Sequence, residues 1–238
     1  MHIIELTELQ FKNYSNRHSR KNYKQSIEYA KLKQTNDYQP IYVGLIDDAN
    51  NVHAASLILS KKINNKHQYG YIPSGYLINF YNLDLLKTFT IELKAYLKKL
   101  NFVYVRINPL INYQTYNSDF ISKENNSGII NEFKKLEYEF IPNTSKYKMV
   151  LNVTDIQSTY KNFKRSLRRN INNCLKKGII VYQGTEKDIE DFLNLVDNKT
   201  RYKNMMEIFN TPNNKFEFYL AKINPETYIN NYRYLLKE

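Results

Sequence analysis

Arg165, Arg168, Arg169, Asn172 and Lys176 recur at helical spacing through the stretch FKRSLRRNINNCLKKGIIV, residues 163–181, and make one cationic face. Guanidinium forks match phosphate oxygens two at a time, so the chemistry this face suggests is the grip of a phosphate or pyrophosphate. Phe163, Leu167, Ile171 and Cys174 fall on the opposite side as an apolar stripe fit to pack on a sheet. Gly178 suits the left-handed position that ends a helix, and Ile179, Ile180 and Val181 favour a strand. The stretch predicts helix, cap, strand, with the basic side turned to a poly-anion. A solvated charged face with no ligand is the competing reading.

Other chemistries find less support. The four histidines, His2, His18, His53 and His67, are scattered, with no carboxylate or cysteine at metal-ligand spacing, so no metal is expected. The six glycines form no GxGxxG, no GxxxxGK[ST] and no glycine-paired pyrophosphate loop of the kind used for coenzyme A. Any acyl donor should therefore be carried by something else, and no cofactor is expected. The single cysteine, Cys174, rules out disulfides within the chain and reads as a small buried thiol.

Lys and Arg number 35 against 23 Asp and Glu, a net charge of +12, with a pI near 9.4. That balance attracts phosphate-rich partners, whether RNA, anionic lipid or nucleotide-linked substrates, without choosing among them. Twenty-two tyrosines can stack on bases and sugars, although many must be ordinary half-buried core residues. No stretch approaches the roughly 18–20 apolar residues of a bilayer span, and the N-terminus lacks the order of a signal peptide, so a cytoplasmic location is expected.

The elements that position these residues follow from periodicity. A strand at His2 to Leu6 precedes a helical stretch including Ser26 to Asn36. Strands at Pro40–Ile46, Ala54–Ile63 and Gln68–Ile72, joined by short polar turns, predict an antiparallel meander. Leu83 to Leu100 is the cleanest amphipathic helix, and Phe102 to Pro109 a strand ended by its proline. A helix at Ile129–Leu136 and a strand at Tyr138–Ile141 complete a unit with the element order of an N-acetyltransferase-type acyltransferase. From Tyr147 the order begins again: strand Lys148–Val153, the basic helix, strand Ile179–Tyr182, helix Asp188–Phe209, strand Phe216–Ile223, helix Glu226–Leu236. The expected fold is an α+β sandwich of tandem GNAT-like acyl-CoA N-acyltransferase folds, 1–145 and 146–238, the second incomplete.

Four pieces carry a resemblance: QSIEYAKLK at 25–33, YIPSGYLINFYNLDLL at 71–86, FVYVRINP at 102–109, and the basic stretch itself. In this order and spacing they resemble the Fem family (FemABX) of aminoacyltransferases, which build the interpeptide bridge of peptidoglycan. The resemblance implies an aminoacyl-tRNA donor, a lipid II or UDP-linked muropeptide acceptor, a peripheral contact with the inner face of the membrane, and attack by a stem-peptide amine on the aminoacyl ester. Carried onto this chain, it implies that Lys33 contacts the acceptor's phosphates, that Arg168 and Arg169 grip the same diphosphate, that Tyr71 walls the pocket, and that Tyr202 lies at the acceptor site. The resemblance also puts Asn108, together with Tyr202, at the catalytic positions.

The departures are specific. Asn108-Pro109 stands where the family has Asp-Pro, and an amide cannot accept a proton. Ser74 and Asn79 replace a common arginine and aspartate. Family members also continue well past the ending NPETYINNYRYLLKE, which resembles the start of a helical arm. Two readings remain: a tRNA-dependent aminoacyltransferase, and a catalytically inactive remnant that binds muropeptide or RNA.

Overall fold

The structure, a computed structural model, describes residues 1–116, 122–141, 150–151, 153–210 and 216–227. It divides into two compact units, Met1–Ile141 and Pro142–Glu238.

Unit one is built on a sheet in the order β1 (His2–Glu5), β2 (Gln39–Ile46), β3 (Val52–Lys62), β4 (Gln68–Pro73), β5 (Phe102–Asn108). The first three pairings are antiparallel. β5 runs parallel to β4, with α3 (Leu83–Lys99) as the crossover that a parallel pair requires. Alternation along the strands sends Val43, Leu45, Ile58 and Ile72 to one face. There they meet Leu86, Phe89 and Leu93 of α3 and Ile129 and Phe133 of α4 (Ser127–Lys135), the core of the unit. On the other face α1 (Glu8–Arg17) and α2 (Ile27–Gln34) cover β2 and β3. The Phe11 ring lies 4.9 Å from that of Tyr42, and Glu8 and Glu28 add to the burial that pushes the Tyr42 hydroxyl upward in pKa. The β4 and β5 part of this face stays open, and Tyr104, Arg106 and Asn108 are exposed.

Local chemistry sets the starts. Thr7 and Gln10 form a capping box at α1, Ser26 caps α2 through Tyr29 N, and Asn82 caps α3 through Leu85 N. A short pair, β6 (Gln114–Tyr116) and β7 (Ser122–Asn125), precedes α4. It has no apolar alternation, and sequence periodicity does not find it. The strand expected at Tyr138–Ile141 does not form. Glu137 turns the chain at φ 63°, Tyr138 N is spent on the Phe133 carbonyl, and the Tyr138 hydroxyl meets that of Tyr76 at 2.9 Å.

Unit two contains α5 (Ile156–Asn162), α6 (Arg165–Lys176), β8 (Ile179–Gln183), α7 (Ile189–Leu195), α8 (Lys199–Phe209) and β9 (Tyr219–Ile223), with β8 antiparallel to β9. Val150, Leu151 and Val153 are not in a strand, and the rest of the expected strand, Lys148, Met149 and Asn152, lies outside the described residues. The helix expected across Asp188–Phe209 is two helices. Val196 is extended (φ −105°, ψ 143°), and Asn198 caps a fresh start through Arg201 N. Cys174 is exposed rather than buried, and Leu167 and Leu175 beside it are open as well, so the apolar stripe of α6 is not fully covered. Beyond Thr227 the helix expected to Leu236 lies outside the described residues. Among the described residues no helix is long and apolar enough to cross a membrane.

Candidate functional site

In unit one the carboxyl ends of the parallel pair β4 and β5 bring together two of the expected residues, Tyr71 and Asn108. In an open sheet such ends are where ligands are commonly received. Tyr71 pairs with Arg106 and Pro73 with Asn108, so Tyr71, Arg106 and Asn108 share the uncovered face. Lys33 stands in the last turn of α2, which packs on β2 and β3, with its ammonium 5.5 Å from the centre of the Tyr29 ring.

A strap drawn from residues 18–25 fixes these ends. β3 and β4 pair from Lys62/Gln68 to Leu59/Tyr71 and then part. Buried Gln25 fills the gap: Leu57 N donates to its Oε1 at 2.8 Å, and its Nε2 donates to the Pro73 carbonyl at 2.7 Å and the Leu57 carbonyl at 3.3 Å. Asn22 Nδ2 donates to the Ser74 carbonyl at 3.3 Å, and Arg20 Nη1 to the Leu110 carbonyl at 2.8 Å, two residues past Asn108. Arg20 also lies over the Phe80 ring at 5.0 Å, and its N–H donates to His18 Nδ1 at 3.1 Å. Burial, then the Arg20 charge, lowers the His18 pKa, which keeps that nitrogen an acceptor. Gln25 opens the 25–33 stretch, but nothing in that pattern signals its buried role between β3 and β4. Arg20 and Asn22 carried no signal beyond their type, because their partners are backbone carbonyls far away in sequence.

In unit two Arg168 is half-buried and Arg169 exposed, and α6 contains no Asp or Glu. Among the described residues Arg165, Arg168 and Arg169 form no ion pair. They occupy the first half of the helix, where the macrodipole favours anions, and Lys164 supplies no side-chain cap. The helix thus carries cations where its own field disfavours them, and a bound anion would relieve both. Gly178 ends α6 at φ 78°, where a Cβ would lie 2.7 Å from Thr227 Cβ. Tyr160 Oη donates to Asn172 Oδ1 at 3.0 Å and ties α5 to α6. Tyr202 sits half-buried in α8, edge-on to Phe192 at 5.5 Å and 6.4 Å from Phe216, the setting of a packed aromatic. Among the described residues no group of three or more His, Cys, Asp or Glu could hold a metal ion.

The family model described as the FemAB family matches residues 6–237. The chain belongs to the FemAB family. It is 29% identical to aminoacyltransferase FemB of Staphylococcus epidermidis over 208 residues, 82% of this chain and 49% of the relative. It is 25% identical to aminoacyltransferase FemA of Staphylococcus epidermidis over 244 residues, 97% of this chain and 58% of the relative. The solved structure of FemX superposes with a TM-score of 0.71 at 16% identity, covering 99% of this chain and 61% of that one. That likeness shows the fold, an α+β arrangement of the GNAT-like kind. The chain spans about half the length of the curated relatives it matches.

Proposed function

We propose that this FemAB-family chain takes part in moving an amino acid from aminoacyl-tRNA to the stem peptide of a lipid-linked or UDP-linked peptidoglycan precursor. The observation that carries the reading is the family match across residues 6–237, with relatives named aminoacyltransferases. The two units are taken as GNAT-like domains, and the acceptor as a ligand that brings the chain to the inner face of the membrane.

In the reaction a neutral amine of the stem peptide attacks the ester carbonyl. The new C–N bond forms, the C–O bond to the ribose breaks, and the amine's proton ends on the departing ribose oxygen. Such aminolysis needs position, a proton route and stabilisation of the oxyanion. Lys33, Arg168 and Arg169 are assigned to acceptor phosphates and Tyr71 to the pocket wall. Asn108 is assigned to hydrogen-bond the attacking amine, since its amide orients but cannot take the proton. Tyr202 is kept as an acceptor-site candidate, with its aromatic packing as the competing role. That same amide favours a second reading, a muropeptide-binding module without turnover.

Incubating the chain with radiolabelled aminoacyl-tRNA and lipid-linked precursor tests the choice. Label on the precursor, abolished by ribonuclease, supports transfer. Precursor binding without incorporation supports the module.

A further inference from the structure

Tyr69 of β4 and Tyr104 of β5 are direct cross-strand partners whose rings stack with centroids 5.3 Å apart and 11° between planes. Tyr38 extends the row: its ring meets Tyr69 edge-on at 6.4 Å, and the two hydroxyls are 3.4 Å apart. The row lies at the amino ends of β4 and β5, the far end from Pro73 and Asn108.

A β-bulge aims it. Gln68 pairs with Phe102 but Tyr69 pairs with Tyr104, so Val103 is an extra residue and the parity of β5 switches. Phe102 packs against the core, while Tyr104 turns to the open face and is 55% exposed. An aromatic cross-strand pair can serve the sheet alone. The charge around this one says more. Segments 60–71 and 97–108, which meet here, supply Lys61, Lys62, Lys66, Lys98, Lys99 and Arg106 and hold no Asp or Glu. The end of α3 is held against β4 by Gln68 Nε2 donating to the Leu100 carbonyl at 2.9 Å. Lys61 lies opposite Tyr69, with its ammonium 5.4 Å from the centre of the Tyr38 ring. Asp37 approaches Lys61 at 3.9 Å, but it is almost fully exposed and screens it little.

Ring faces flanked by cations are what unpaired nucleotides require: bases stack and the backbone phosphates meet the charges. A neutral sugar would stack on the same rings and gain nothing from the lysines. We propose that Tyr38, Tyr69 and Tyr104 form a stacking shelf for unpaired nucleotides of an RNA strand, with Lys61, Lys66 and Arg106 serving its phosphates. The choice of RNA over DNA rests on the tRNA-dependent reading above, whereas the stacking does not.

Fluorescence anisotropy of a labelled ten-nucleotide oligoadenylate, titrated with the full chain carrying Arg168→Ala and Arg169→Ala to silence the α6 face, tests the shelf without turnover. The single strand binds and a duplex of matched length binds at least tenfold more weakly. Tyr104→Ala, and Tyr104→Leu which keeps apolar bulk at the sheet edge, weaken binding about 5- to 150-fold. Tyr104→Phe keeps binding, because the ring and not the hydroxyl does the stacking. Equal affinity in the Leu variant, equal affinity for the duplex, or displacement of the oligonucleotide by a peptidoglycan disaccharide overturns the proposal. A DNA oligonucleotide that outcompetes the RNA overturns the choice of partner. Loss of amino-acid transfer in the intact chain with oligonucleotide binding retained would count against the transfer reading alone.

Discussion

The carboxamide of Gln25 donates to the Pro73 carbonyl at 2.7 Å, and in doing so it closes the sheet where β3 and β4 have stopped pairing. Tyr71 is two residues away on β4, and Asn108 is the β5 partner of Pro73. One buried side chain therefore sets the backbone on which the candidate site of unit one is mounted.

Replacing Gln25 by Ala leaves the Leu57 N–H and the Pro73 carbonyl without their partner in a buried place. Unfolding in urea should show a loss of about 2–4 kcal/mol. Gln25→Glu should be destabilising too, since a carboxylate accepts from Leu57 N but cannot donate to Pro73. A stability equal to the native chain would mean the gap is filled another way.

The strap also predicts a pH dependence. The folded pKa of His18 is lowered from its ordinary value near 6.5, by burial first and Arg20 second, so the unfolded chain binds the proton more readily. Its contribution is complete above that ordinary value and fades as pH falls through it toward the lower folded one. Melting temperatures from pH 7.5 to 5 should fall more steeply for the native chain than for His18→Asn, whose carbonyl accepts from Arg20 without titrating. Parallel slopes would exclude His18 as the cause. Asp47 lies in a lower window. Hydrogen bonds from His53 and Asn51 hold its carboxyl well below the usual range, so its share is lost only in acid.

Tyr42 has a buried hydroxyl without a hydrogen-bond partner among the described residues. Tyr42→Phe removes the unsatisfied group and keeps the ring on Phe11. The variant should be as stable as the native chain or more so, by about 1 kcal/mol, in thermal or urea unfolding. A clear loss would show that the hydroxyl has a partner.

Most of unit one was legible in the sequence because its strands are apolar runs bounded by polar turns and α3 repeats its apolar residues at helical spacing. Leu83–Lys99 and the meander fall within a residue or two of their expected limits. Unit two was read less well. Its helices bury little, so periodicity there reports composition more than packing. Cys174 was assigned inward from a stripe that the fold leaves partly open. Toward the candidate site, residue type and spacing gave the basic face with Arg168 and Arg169, while Tyr71 and Asn108 were pointed to by the family resemblance alone. Arg20, Asn22 and Gln25 act through distant backbone carbonyls, which no spacing rule encodes. The shelf at Tyr69 and Tyr104 depends on a bulge, a one-residue shift that sequence alternation cannot foresee.

Asn108 offers a gain-of-function test. Asn108→Asp places a proton acceptor on the same exposed strand end, and transfer should rise by about tenfold or more if the position adjoins the attacking amine. An unchanged rate would move the proton route elsewhere.

The most direct measurement is incorporation of labelled amino acid from aminoacyl-tRNA into lipid-linked precursor by the native chain and by the Arg168→Ala, Arg169→Ala double variant. The helix should survive the change, because neither arginine has an ion-pair partner among the described residues. The double variant should lose transfer by at least tenfold, with the deficit reduced at high precursor concentration. Transfer at the native rate in the double variant would contradict the role given to the basic face of α6.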